Sequence, residues 1–120
     1  MKRFLLIVLV LVLVAGAVFA QAARFNNGVQ VTTAASYNPA TSTNDGSITV
    51  AVTFRGNRIT QIEVREHTDT AAFVTMVTNA VVPAIIAAQN TNVDNVTGAT
   101  YTAKGVKDAV AAAMEQARRR

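Results

Sequence analysis

The chain has 120 residues, no cysteine, no tryptophan, one histidine and a formal net charge of +4. Without cysteine there can be no disulfide staple, no thiolate metal site and no lipid on an N-terminal Cys, so stability has to come from a hydrophobic core. Setting aside Lys2 and Arg3, nine Lys and Arg face seven Asp and Glu, three of the nine are the run Arg118-Arg119-Arg120, and no aromatic residues interleave with the bases, which makes the chain a poor candidate for binding nucleic acid.

Residues 1–20 have the layout of a secretory signal peptide. Met1-Lys2-Arg3 is a short basic start, residues 4–14 are an unbroken apolar run, and small residues follow at Ala17, Ala20, Ala22 and Ala23. Cleavage fits after Ala20 or after Ala22. The rival is a retained anchor, and residues 4–20 are short for it, since a spanning helix needs about 20 apolar residues. Either way, residues 21–120 are expected outside the cytoplasm as one domain of about 100 residues.

Residues 29–37 (VQVTTAASY) are rich in β-branched side chains and predict a first strand. Residues 38–46 (NPATSTNDG) gather turn formers and predict a loop. In residues 47–54 (SITVAVTF), Ile48, Val50, Val52 and Phe54 alternate with Ser and Thr, which marks a strand with one buried face. Arg55-Gly56-Asn57 is a turn, and residues 58–66 (RITQIEVRE) complete a hairpin. The change of parity between Ile59 and Ile62 predicts a bulge or a late strand start.

From Thr68 the period changes. Asp69 or Thr70 can cap a helix carrying Phe73, Val74, Val77, Val81, Ile85 and Ala88 on one face. Pro83 predicts a kink, or two short helices parted around residues 79–83. Residues 89–94 are polar and read as a loop. A last helix is expected from Thr102, with Ala103, Val106, Val110, Ala113, Met114 and Ala117 as its apolar stripe. The terminal arginines then sit at its negative end. The fold class expected is α+β: a small antiparallel sheet, a hairpin plus a further strand, packed on one side by two or three helices.

Between the last two helical patterns lies Asp94-Asn95-Val96-Thr97-Gly98-Ala99-Thr100-Tyr101-Thr102. Gly98 permits a backbone closed to other residues. Thr100 carries a hydroxyl to the mouth of a helix, where unpaired N–H groups favour an anion. The plain alternative is that Thr97, Thr100 or Thr102 caps the helix.

This stretch resembles the flavinylation motif of the FMN-binding domain family, which reads Asp, two variable residues, Ser or Thr, Gly, Ala, then Thr or Ser. The family occurs in small exported proteins and in subunits of sodium-pumping quinone reductases and Rnf-type complexes. The resemblance implies that Thr100 carries FMN through a phosphoester. It makes Asp94, Thr97, Gly98 and Ala99 the residues that shape the site and are recognised by an FAD:protein FMN transferase, which uses FAD and magnesium. Tyr101 and Thr102 complete the cofactor-binding set. The likeness runs through nearly the whole mature chain: a first strand containing Gly28, the hairpin, the step Glu66-His67-Thr68-Asp69-Thr70, a helix with Pro83 ending near Gln89, the motif and a closing helix. It departs at Ala71-Ala72-Phe73, where many relatives have a glycine-rich turn. Phe73 or Tyr101 is then the expected stacking partner of the flavin ring.

On this resemblance the chain is expected to be an extracytoplasmic electron carrier rather than a stand-alone enzyme, with a membrane redox complex or another donor or acceptor as partner. The alternatives are an exported binding module of the same fold without cofactor, or a domain holding FMN noncovalently. His67 with Glu66 and Asp69 is a weak metal set, and a surface histidine is the expected reading. No catalytic residue and no metal ligand is assigned. A threonine-nucleophile hydrolase would need an adjacent base or a free amine, which Thr100 lacks in the nearby sequence.

Overall fold

The computed structural model describes residues 24–119. The expected signal segment 1–20, and both cleavage positions, lie outside the described residues. Three strands, β1 (Gly28–Asn38), β2 (Thr43–Arg55) and β3 (Arg58–His67), form an antiparallel sheet in the order β1-β2-β3. Two helices follow, α1 (Ala71–Ala88) and α2 (Thr100–Ala117). Both pack on one face of the sheet, α2 under β1 and β2 and α1 against β3 and α2. This is the α+β arrangement the patterning predicts.

The alternation in β2 sets the core. Ile48, Val50, Val52 and Phe54 are each 0% exposed, and burial of such side chains contributes roughly 1.5–3 kcal/mol apiece. Ile59 and Ile62 join them because β3 carries an extra residue there: Phe54 pairs with Ile59 while Thr53 pairs with Gln61. The bulge at Thr60 restores parity, as the spacing requires. Gly56 and Asn57, both with positive φ of 59° and 67°, make the two-residue turn whose twist suits a hairpin.

Two expectations are corrected. The loop expected over 38–46 is short, because β2 begins at Thr43 and pairs back to Asn38. Gly46 lies inside the ladder opposite Ser36, and the Thr68 hydroxyl, which accepts from the Ser47 N–H at 2.9 Å, occupies the space a Cβ would need. Thr41 donates to Asp45, and this bond holds the exposed Asp45 carboxyl below its usual range. Of the two outcomes expected at Pro83, the split into two short helices around residues 79–83 does not occur. α1 is continuous through it, since Val77, Val81 and Ile85 are buried on both sides of an exposed Pro83. Their shared core offsets a proline cost of about 3 kcal/mol.

Position Thr70 precedes α1 without a side-chain capping bond. At the other end Gln89 adopts a left-handed conformation (φ 59°), and its amide does the holding. Its Oε1 accepts from Ile59 N–H at 2.7 Å and its Nε2 donates to Ile59 O at 2.9 Å and Ile86 O at 2.6 Å. One side chain thus ties the end of α1 to the start of β3. α2 begins at Thr100, two residues before the expected start, and ends at Ala117. Beyond it the chain turns extended and Arg118 bridges Phe25, with Arg119 N–H donating to Arg24 O at 2.7 Å. Arg118 is also the residue that closes α2, its guanidinium 3.6 Å from Glu115, so the first two of the terminal arginines follow the negative end of the helix as expected.

The two outer strands differ in chemistry. β3 carries Arg58, Glu63, Arg65 and Glu66, whereas β1 (GVQVTTAASYN) has neither charge nor proline, and Val29 and Val31 are about half exposed (51% and 48%).

Candidate functional site

The turn before α2 is built from local rules. Val93 and Val96 pack partly into the core, Lys107 Nζ donates to Val93 O at 2.9 Å, and Ala99 N–H donates to Val96 O at 3.0 Å. Gly98 then takes φ 84° with open space where a Cβ would be. Conformation, not crowding, makes glycine the fitting residue there. Ala99 is 4% exposed and seats the turn on the core.

Thr100 is the first residue of α2, and its side chain is exposed. No side chain caps this helix start, and the first bond back to the turn runs from Ala103 N–H to Ala99 O at 2.9 Å. The capping alternative therefore fails for Thr97, Thr100 and Thr102 alike. What remains is a helix N-terminus with its positive end open beside an accessible hydroxyl, the arrangement that suits a phosphate.

Seven residues line a cleft of about 190 Å³ there: Tyr37, Phe73, Gly98, Ala99, Thr100, Tyr101 and Thr102. Five of the expected site residues are thus brought together. Asp94 and Thr97 are exposed on the approach to the turn and do not line the cleft. Phe73 and Tyr101 both reach it. Tyr37, at the end of β1, joins them: its ring lies 6.3 Å from that of Tyr101 at 10°, and 5.8 Å from that of Phe73 at 66°. Tyr101 is 47% exposed, so the aromatic wall is open on one side.

The sequence reading missed two residues. Tyr37 reads only as the end of a strand, and nothing local points it at a turn more than sixty residues away. Asp69 reads as a helix cap. Instead it is buried at 8% exposure, with Oδ2 accepting from Ser36 Oγ at 2.8 Å and the Thr102 hydroxyl at 2.9 and 3.0 Å from its two oxygens. Thr102 is 1% exposed and engaged, which separates it chemically from Thr100. His67 is exposed at the end of β3, with Nδ1 3.1 Å from Asp69 O. Among the described residues no group of three or more His, Asp or Glu gathers to hold a metal.

A larger depression of about 440 Å³ lies at the opposite end of the hairpin, lined by Phe25, Asn26, Asn27, Gly56, Asn57 and Arg119. Its asparagines serve the fold: Asn57 Oδ1 accepts from Phe25 N–H at 2.6 Å and Asn27 Oδ1 from Gly56 N–H at 3.0 Å. Size alone would favour it. The smaller cleft combines an accessible hydroxyl, an open helix N-terminus and three aromatic rings, and those features fit a ligand that carries both a phosphate and a flat ring.

Among curated proteins, none matches the chain. The FMN-binding domain family matches residues 44–115, a stretch that takes in nearly all of β2, then β3, α1, the Gly98 turn and most of α2. The chain that carries this turn and its aromatic wall thus belongs to the FMN-binding domain family.

Proposed function

We propose that the chain is an exported electron-transfer protein that carries FMN on Thr100 through a phosphoester. Membership of the FMN-binding domain family supports FMN as the cofactor. The observation that carries the covalent reading is the exposed Thr100 hydroxyl at an uncapped helix start beside Tyr37, Phe73 and Tyr101. A cleft of 190 Å³ is smaller than the roughly 300–1,000 Å³ of sites that enclose a ligand. A flavin would lie across it, and a bond prevents its loss to dilution outside the cell.

In the attachment step, Thr100 Oγ1 bonds to the phosphorus of the FMN half of FAD. The pyrophosphate P–O bond breaks, AMP leaves and the hydroxyl proton passes to the FAD:protein FMN transferase. Exposure of Thr100 serves that encounter, because a second enzyme has to reach the oxygen. The first-turn N–H groups of α2 favour the remaining phosphoester charge. Bound FMN supplies two-electron uptake with release of single electrons, while the protein orients it and tunes its potential. Tyr37, Phe73 and Tyr101 offer ring faces for that tuning. The expected partners are the transferase and a membrane redox complex or other donor and acceptor. The basic-apolar start of the chain supports export.

Intact mass under denaturing conditions tests this, on protein made with and without a co-expressed transferase, followed by mapping of the modified peptide. The expected result is an added mass of FMN less one water on Thr100, abolished in Thr100→Val. An unmodified chain, with the transferase active on a control domain, would overturn the covalent reading.

A further inference from the structure

Three elements of the fold meet on one buried side chain. Asp69, just before α1, accepts hydrogen bonds from Ser36 of β1 and Thr102 of α2, and its Oδ1 accepts from the Thr70 N–H at 3.0 Å. Ser36 and Thr102 are 0% and 1% exposed. Among the described residues the ion pairs Lys104–Asp108 and Arg118–Glu115 do not include Asp69. A carboxylate buried without a cation is a costly way to fill space, and an apolar side chain would do that better. Its use calls for a reason of position.

The chain neighbours of its two hydroxyl partners supply that reason. Ser36 is followed by Tyr37, and Thr102 is preceded by Tyr101. The rings of these two tyrosines lie 6.3 Å apart and nearly parallel. The hydroxyl–carboxylate–hydroxyl tie sits one residue behind each ring. No side-chain cap fixes the start of α2, so this tie is the polar anchor of its first turn to β1.

We propose that Asp69 is the positioning residue of the Thr100 site: by holding Ser36 and Thr102 on one carboxylate it sets the spacing of Tyr37 and Tyr101, the wall a flavin ring would face. The part concerning the flavin rests on the Thr100 reading above, while the part concerning the two rings does not.

The composition offers a clean probe. The chain has two tyrosines and no tryptophan, so its tyrosine near-ultraviolet circular dichroism and tyrosine emission report on this wall alone. In the unflavinylated protein, Asp69→Ala should lose most of the tyrosine dichroism while keeping its far-ultraviolet spectrum. Asp69→Asn should retain it, because an amide can accept from Thr102 and donate to Ser36. Ser36→Ala removes one leg of the tie with little change of volume and serves if Asp69→Ala fails to fold. In the flavinylated protein, flavin emission should rise severalfold in Asp69→Ala or Ser36→Ala and not in Asp69→Asn. Unchanged tyrosine dichroism in a folded Asp69→Ala or Ser36→Ala protein overturns the proposal. Equal loss in Asp69→Asn overturns it too, because charge and not the tie would then be what matters. The two readings fail separately: absence of FMN from wild-type Thr100 sinks the attachment and leaves the dichroism result standing.

Discussion

The two helices have the same length, 18 residues each, and are held in opposite ways. α2 is pressed onto the sheet along its whole course. A Cβ on Gly105 would come within 2.8 Å of Ser36 Cβ and 2.9 Å of Ala35 O, and Thr32 donates to Ala109 O at 2.5 Å. Eight of its residues are buried. α1 has no charged residue, buries four, and contains a proline. It leans on β3 and is fastened at its C-terminal end by the amide of Gln89. The helix that starts at Thr100 is therefore the more closely packed of the two. The attachment proposed at Thr100 would benefit from such a platform, and α1 contributes to the cleft only through Phe73.

The largest effect that would break this contrast is at Gly105. Gly105→Ala should destabilise the domain by about 1–3 kcal/mol through overpacking against β1, although alanine is the better helix former. A thermal melt that matches wild type would mean α2 is not locked. Next comes Gln89→Ala, which strips the paired bonds to Ile59 and should cost about 1–2 kcal/mol. Hydrogen exchange sharpens the point: protection should fall in α1 and at the start of β3, while α2 keeps its own. Uniform loss across both helices would make α1 as integral as α2. The smallest effect belongs to Lys104→Ala. The Lys104–Asp108 pair is a surface contact with side chains 61% and 48% exposed, and urea titration should register under about 0.5 kcal/mol.

What the sequence made legible is what has a short period. The alternation from Ile48 to Phe54, the change of parity before Ile62 and the stripe from Ala103 to Ala117 each repeat within a few residues, and each is found where the pattern puts it. The turn around Gly98 was legible for the same reason, since its conformation depends on one glycine. Features made by distant residues were not. Asp69 meets Ser36 and Thr102 across separations of 33 residues each, and a carboxylate before a helix looks locally like a cap. Tyr37 joins the aromatic wall only once β1 packs against α2. Gln89 looked like the first residue of a polar loop, because the strand residue it grips lies 30 positions earlier. At Pro83 the local penalty is plain in the sequence, and the buried residues on both sides that carry one helix through it are a tertiary fact.

The uncharged outer strand has a consequence for how this molecule behaves in a crowd. β3 meets its surroundings with four charged side chains, which keep a stray extended chain from lying alongside. β1 has none, and no strand among the described residues pairs with its outer edge. That edge is a row of backbone donors and acceptors flanked by two half-exposed valines, the kind of template on which unfolded or neighbouring chains assemble. A charge placed on β1, the same strand that lends Ser36 and Tyr37 to the cleft, is therefore the change expected to reduce self-association most.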